Sequence, residues 1–284
     1  GGGSSSIETG GSTFITNSNF SRNSAISKAS AMFLKGIHHV CFKGCLFENN
    51  TATNEASVIS LSYCTEIIST SCRFFTNVAT FRGVLYAENF HNLINVKNVY
   101  KYNQNSGVVN LNKGKIYWEF NSTALNNKAA QEGSTLKAVN VNNLNIIFSV
   151  TMYGRSEENG GAFWVNGGKE IHVIKSTVSN NEAGTSGALF VSDINQVHVE
   201  KCMLVGNRAT SAGAGVLCRT VDNLYIVKAV FSKQFSNESG AAVHMTGSGD
   251  NSNCLMQMVK YTLNIANKEG AALLINQFSH ITIL

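Results

Sequence analysis

A repeat of about 26 residues constrains this chain more than any other feature. The small residue that opens each copy stands at Gly3, Ser30, Ala56, Gly83, Gly107, Gly133, Gly161, Gly187, Ala214, Gly240 and Gly270, at spacings of 27, 26, 27, 24, 26, 28, 26, 27, 26 and 30. The copy from Ser176 to Phe190 is the clearest: an apolar-x-x-Asn turn at Val178 and Asn181, a small residue at Ala183, then a Gly-Ala-apolar strand start at Gly187, Ala188 and Leu189. Self-similarity at such a period marks a solenoid, whose single unit cannot bury its hydrophobic face alone.

A second anchor fixes the register. About 17 residues after each opening residue comes Phe20, Phe47, Phe74, Tyr100, Ala124, Met152, Val178, Leu204, Phe231 or Tyr261. Three further on stand Asn23, Asn50, Asn77, Asn103, Asn127, Arg155, Asn181, Asn207, Gln234 and Asn264. Eight of ten are Asn, where 35 Asn in 284 residues would give about one, so the column is a property of the repeat. Two positions later Ala25, Ala52, Ala79, Ala129, Ala183, Ala209 and Ala266 form a small-residue column, broken by Asn105, Glu157 and Ser236.

Between the anchors run short alternating segments such as Ile171-His172-Val173 and Val197-His198-Val199, bounded by Gly, Asn and Ser clusters. These are strand and turn signals, and no helical period is sustained anywhere. Proline is absent, which leaves every backbone N–H free for a ladder. The expected fold is all-β: a right-handed parallel β-helix, a single domain over 1–284, with about ten coils of 24–30 residues and three short strands per coil. Ten coils at the inter-strand spacing make a rod of about 50 Å. In such a stack a turn Asn adopts the left-handed conformation and its amide bonds the equivalent amide one coil away. Both ends read as cut from a longer chain, since Ile281-Thr282-Ile283-Leu284 looks like the interior of a strand.

Gly-Gly-Ala-Phe at Gly160 to Phe163, Gly-Ala-Leu-Phe at Gly187 to Phe190, and the Phe-x-x-Asn copies at Phe20, Phe47 and Phe74 resemble the paired repeats of chlamydial polymorphic outer membrane proteins. Pectin-lyase-like β-helices of protists and bacteria are similar in outline. The resemblance covers essentially the whole chain. It implies a surface-exposed or secreted β-helix, often adhesive; the autotransporter barrel is not part of this sequence, so that secretion route does not carry over.

Composition narrows the function classes. Hydrophobic residues make up 43% and charged residues 14%, which excludes a disordered chain, and no run of 18 apolar residues suggests a membrane span. The net charge of +5 is spread thinly, so the footprint of a nucleic-acid binder is missing. Seven cysteines leave at least one unpaired. Cys45, Cys72 and Cys202 occupy a site where other copies carry Ser18, Ser122, Ser176 and Ala229, which makes them small-residue fillers; a disulfide between Cys45 and Cys72 on adjacent coils is the sharper alternative.

Polysaccharide lyases and glycoside hydrolases of this outline need clustered carboxylates. Only three Asp occur, Asp193, Asp222 and Asp250, at separations of 29 and 28, with Asn195, Asn223 and Asn251 close by. They are the candidates for a stacked catalytic or calcium column, although Asp and Asn are also ordinary turn residues. His172 and His198 share a column but no third ligand is evident, so no metal and no cofactor are expected.

The remaining candidates concern partners. Val58, Leu85, Val109, Phe163, Leu189 and Val216 alternate with a second apolar column made of Phe33, Ile59, Tyr86, Leu136, Trp164, Phe190, Leu217, Val243 and Leu273. The first strand therefore reads as apolar on both faces, and the six residues form a face expected to pack on another copy or a neighbouring segment. Lys175, Lys201 and Lys228, with Lys97 in an equivalent place, form a stripe along which an anionic glycan could lie; solvated lysines that blunt aggregation are the alternative. N-glycosylation sequons stand at Asn19, Asn49, Asn121 and Asn237, a number no larger than chance gives. The expectation is a non-enzymatic extracellular or cell-surface structural or adhesive protein, with a polysaccharide-active enzyme as the alternative.

Overall fold

A computed structural model describes residues 5–54 and 57–284, so the opening residues Gly3 and Ala56 lie outside the described residues. Every pairing between its strands is parallel and joins a strand to its equivalent one coil away. A typical coil contains a long strand, Leu189–Glu200, a three-residue strand, Met203–Val205, and a two-residue strand, Arg208–Ala209. Stacked, they give a 13-stranded long sheet, a 10-stranded side sheet, and closing sheets of four and six strands. This is the expected β-solenoid of about ten turns. The long strand divides at its bend in two coils, as Ser57–Ser62 with Glu66–Thr70 and Leu85–Glu88 with Asn92–Val96.

Each coil turns four corners, and at most of them one residue takes a left-handed backbone. The first, within the long strand, has Gly36, Tyr63, Asn89, Lys113, Asn140, Gly167, Asp193 and Thr220. The second runs from Asn17 and Gly44 to Lys228 and Met258, and the third from Arg22 and Asn49 to Lys233 and Leu263. A left-handed non-glycine residue costs on the order of 1 kcal/mol. The cost is met because the same backbone N–H bonds the coil alongside, as in Lys175 N to Glu200 O at 2.8 Å and Asn180 N to Val205 O at 2.9 Å.

The Asn column sits one residue after the third corner, so the left-handed residue is its predecessor (Asn49 before Asn50, Asn180 before Asn181) and not the column Asn itself. The column amides from Asn50 to Asn207 are buried and oriented along the rod, with Asn23 and Asn264 half-buried at its ends. Asn50 Nδ2 donates to Asn77 Oδ1 at 3.0 Å, Asn77 to Asn103 at 3.0 Å, Asn103 to Asn127 at 3.0 Å and Asn181 to Asn207 at 3.0 Å. The ladder begins at Asn23 and ends at Asn264, whose Oδ1 accepts from Gln234 N at 3.0 Å. Its gap falls at Gly154, since Leu125 pairs with Met152. The column members in that coil are thus Thr151, Gly154 and Ser156 rather than Met152, Arg155 and Glu157, a one-residue slip. Inside the side sheet Phe20, Phe47, Phe74 and Tyr100 stack at 4.9, 5.0 and 5.2 Å, a second ladder that fixes the same register.

The register also corrects the expected partner face. Leu85, Val109, Phe163, Leu189 and Val216 form one column with Ile59, Leu136, Val243 and Leu273, and it points into the core. Val58, one position earlier, is buried beside Val84. All six are at most 3% exposed. The outward column is Phe33, Ser60, Tyr86, Asn110, Lys137, Trp164, Phe190, Leu217, His244 and Leu274, and the chain covers much of it itself. In most coils the loop before the strand folds back on it through a left-handed glycine, with Ser186 in that place before Leu189. A Cβ on Gly213 would lie 2.6 Å from Leu217 Cβ, and one on Gly240 would lie 2.5 Å from His244 Cβ. Cations complete the cover: Arg82 lies 4.9 Å above the Tyr86 ring, Lys137 5.3 Å above Trp164 and Arg219 5.4 Å above Phe190. The chain itself thus covers part of the outer column on this strand.

Candidate functional site

Asp193 and Asp222 do not stand in one column. Ser192 pairs with Arg219 and Ile194 with Val221, so Asp193 stands beside Thr220, both in left-handed corners. Gln196 pairs with Asn223, which sets Asp222 beside Asn195, two positions away along the strand. The sequence separation of 29 exceeds the local coil length of 27 by two residues, enough to part them. Asp193 accepts a hydrogen bond from Ser192 Oγ at 2.5 Å, a local turn contact. Asn223 bridges coils, donating to Asn195 O at 3.5 Å and accepting from Asn253 at 2.9 Å. The side chains of Asp250 and Asn251 lie outside the described residues.

His172 and His198 do share a column, with ring centroids 4.7 Å apart and planes 13° from parallel, and Tyr225 continues the stack at 4.5 Å. Glu170 lies 3.4 Å from His172, and Gln196 contacts the His198 ring at 2.5 Å. Partial burial and the neighbouring His172 both lower the pKa of His198, so it holds a proton less readily than a free imidazole. Among the described residues no cluster of three or more His, Cys, Asp or Glu has metal-ligand geometry.

The lysines stand as the spacing suggests. Lys175, Lys201 and Lys228 occupy the second corner on consecutive coils, each exposed and left-handed, and Lys97 takes the same corner further along the rod. Lys201 pairs with Glu200 at 2.6 Å. The Glu200 carboxyl titrates below its usual range through its hydrogen bond to Lys201 and the fields of Lys201, Lys228 and Lys175, so one acid is shared by three cations. Lys175 also lies 4.9 Å above the Phe148 ring.

All four sequon residues, Asn19, Asn49, Asn121 and Asn237, are exposed. The seven cysteines are free thiols. Cys45, Cys72 and Cys202 are buried just inside the second corner, where Cys202 Sγ donates to Val173 O at 3.1 Å and Cys45 Sγ to Ile15 O at 3.3 Å. Serines do the same work in other coils, as when Ser176 Oγ donates to Ile146 O at 3.4 Å. Burial pushes the Cys202 thiol up to about 11, far from a reactive thiolate.

One constellation gave no signal in the sequence. The inward column Phe42, Ser69, Asn95, Glu119, Ile146, Val173, Val199, Ile226 is polar on three consecutive coils only. The Glu119 carboxylate is buried there, accepting from Tyr117 Oη, from Asn95 Nδ2 at 3.2 Å and from Tyr100 Oη at 3.4 Å. Asn98 donates to Tyr100 Oη at 3.2 Å and to Ser69 Oγ at 3.0 Å. Asn95 Oδ1 is buried without a partner. Burial raises the Glu119 pKa despite these donors, and burial beside Glu119 raises both tyrosines well above their usual value. These side chains are all buried, with a small void next to them, and the cluster ties coils three to five together.

Comparison with protein-family models, with curated proteins and with solved structures gives no significant match for this chain.

Proposed function

We propose that this chain is a stiff structural or adhesive segment of an extracellular or cell-surface protein, and that it is not an enzyme. The observation that carries this reading is the continuity of its ladders. Backbone pairing runs coil to coil along the described rod, and stretches of the Asn and aromatic columns stack within it, so much residue-specific chemistry is spent on rigidity inside it. What is left outside is a set of repeating corners, suited to display rather than to catalysis. Kinship with the polymorphic outer membrane protein repeats and with pectin-lyase-like solenoids rests on the Gly-Gly-Ala-Phe and Phe-x-x-Asn motifs, and it favours the same surface role. Exposure of all four sequon residues is compatible with glycans in a secretory setting.

Two measurements test the proposal together. An antibody raised against the folded coils is expected to label intact, unpermeabilised cells of the source organism. The purified chain is expected to leave uronate and neutral oligosaccharides uncleaved. Turnover that disappears in Asp222→Asn would overturn the structural reading in favour of a polysaccharide-active enzyme, and labelling confined to permeabilised cells would overturn the surface placement.

A further inference from the structure

The fold gathers charge that the sequence disperses. Between the second and third corners the side sheet is only three residues wide, about 10 Å. On the last four coils this strip is bordered by Lys175, Lys201 and Lys228 on one side and by Lys233 on the other, with Lys260 on the strip itself and Arg208 just past the third corner; all six are exposed. Glu200 and Glu182 are the acids beside it, and Glu182 already faces Arg155 at 3.7 Å. The strip is otherwise small or apolar: Thr177, Met203, Val205, Val230 and Ser232. A chain of net charge +5 thus holds an excess of four on one narrow platform.

A concavity adjoins it. At the third corner Asn180, Gly206 and Lys233 stack; the Asn180 amide takes the space a Gly206 side chain would need, its Oδ1 2.6 Å from where a Cβ would stand, and a notch opens beside it. The cavity there measures about 520 Å³, with Gln234 buried at its floor and Arg208, Lys233, Phe235 and Leu263 around it. That volume lies in the range of pockets that seat small ligands, and it combines two cations with apolar walls.

We infer that this platform and notch bind an acidic polysaccharide, whose sulfate or carboxylate groups follow the lysines along the rod while one sugar ring enters the notch beside Gly206. The inference rests on the surface role proposed above and supplies its ligand class. Lysines one coil apart stand at roughly 4.8 Å, the backbone repeat, and so present a line of charge to a linear polymer. Nucleic acid fits less well, because Met203 rather than a row of aromatic rings occupies the centre of the strip and leaves bases nothing to stack on.

The test uses the whole chain and three substitutions that suit the corner: Lys175→Asn, Lys201→Asn and Lys228→Asn together. Asn17 and Asn121 already occupy this corner with the same backbone, so the variant is expected to fold, which an unchanged melting curve will verify. Binding is measured at several salt concentrations to heparin, to polygalacturonate, to neutral dextran and to an oligo-dT strand. The wild type is expected to bind heparin or polygalacturonate and not dextran, with affinity falling as salt rises. The triple variant is expected to lose at least tenfold, Glu200→Gln to gain, and Lys97→Asn, three coils from Lys175, to change little. Binding to neither acidic polysaccharide, equal binding by the triple variant, or tighter binding to oligo-dT than to both polysaccharides would each overturn the inference. None of these would bear on surface placement, which the antibody labelling tests separately.

Discussion

Removing one amide from the ladder tests whether the Asn column stabilises the rod as its geometry implies. Asn181 makes four hydrogen bonds through its side chain and backbone N–H. Its Oδ1 accepts from Gly154 N at 2.7 Å, its Nδ2 donates to Asn207 Oδ1 at 3.0 Å and to Thr151 O at 3.3 Å, and its backbone N donates to Asn207 Oδ1 at 3.0 Å. Asn181→Ala keeps the backbone contact and deletes the other three. It leaves Gly154 N–H buried without a partner, at a cost of about 1–3 kcal/mol, and removes two further hydrogen bonds worth about 1 kcal/mol each. The expected loss is thus about 3–5 kcal/mol, against a total domain stability of roughly 5–15 kcal/mol. Because a solenoid coil touches only its neighbours, the loss should be local. Hydrogen exchange followed by mass spectrometry is expected to show faster exchange at residues 151–156 and 205–209, with residues 40–80 unchanged. A loss below about 1 kcal/mol in urea unfolding, or a uniform rise in exchange along the rod, would refute the reasoning.

Two other expectations come from the same stack. Glu119 has a folded pKa raised above the ordinary value of 4.5, so the stability linked to its proton is present below that value and is lost as pH rises through the folded pKa; Glu119→Gln should therefore be more stable than wild type at neutral pH, with the gap closing below about pH 4, and a pH-independent gap in urea midpoints would count against a buried neutral acid. Gly213→Ala forces a Cβ within 2.6 Å of Leu217 in a left-handed backbone, and should lower stability by at least about 1 kcal/mol, whereas Gly11→Ala, with open space around it, should change stability far less.

The repeat, the parallel stack and the Asn column were legible because each depends on a residue type recurring at one position, and stacking turns recurrence directly into contact. The register was harder. Coil lengths vary from 24 to 30 residues, and Gly160-Gly161 offers two glycines for one place; the left-handed residue is Gly160, so an anchor set on Gly161 slips by one. In a β-strand a slip of one exchanges the two faces, which is how Phe163, Leu189 and Val216 came to read as a surface; Leu85 and Val109 did so because they follow the left-handed Gly83 and Gly107 by two residues, whereas Leu136 follows Gly133 by three. Glu119 was hidden for a different reason. Its coil alternates Tyr117, Trp118, Glu119, Phe120, and hydropathy alone would place Trp118 inside and Glu119 outside, whereas the pairing of Asn95 with Glu119 sets both inside. Only the partner coil decides which face is which.

The lysine stripe was legible because Lys175, Lys201 and Lys228 recur at the period of the repeat, whereas Arg208, Lys233 and Lys260 join it only through the fold. Inner positions of this rod are committed: an Asn, a Phe or a small residue there bonds or packs against its copy above and below, and a change disturbs three coils. Corner positions carry no such duty, because the left-handed residue contributes its backbone N–H and directs its side chain away. The second corner accordingly accepts Asn17, Gly44, Ser71, Lys97, Asn121, Phe148 and Met258 with nearly one backbone geometry. Placing lysine there on three successive coils is therefore structurally permitted but electrostatically unfavourable. Two unit charges about 4.8 Å apart in water repel by about 1 kcal/mol before salt screening. Glu200 relieves part of that repulsion at Lys201, and it cannot pair at short range with all three. A linear polyanion can, which makes the lysine corner the place where this rod has stability to gain from a ligand and the Asn ladder the place where it has none.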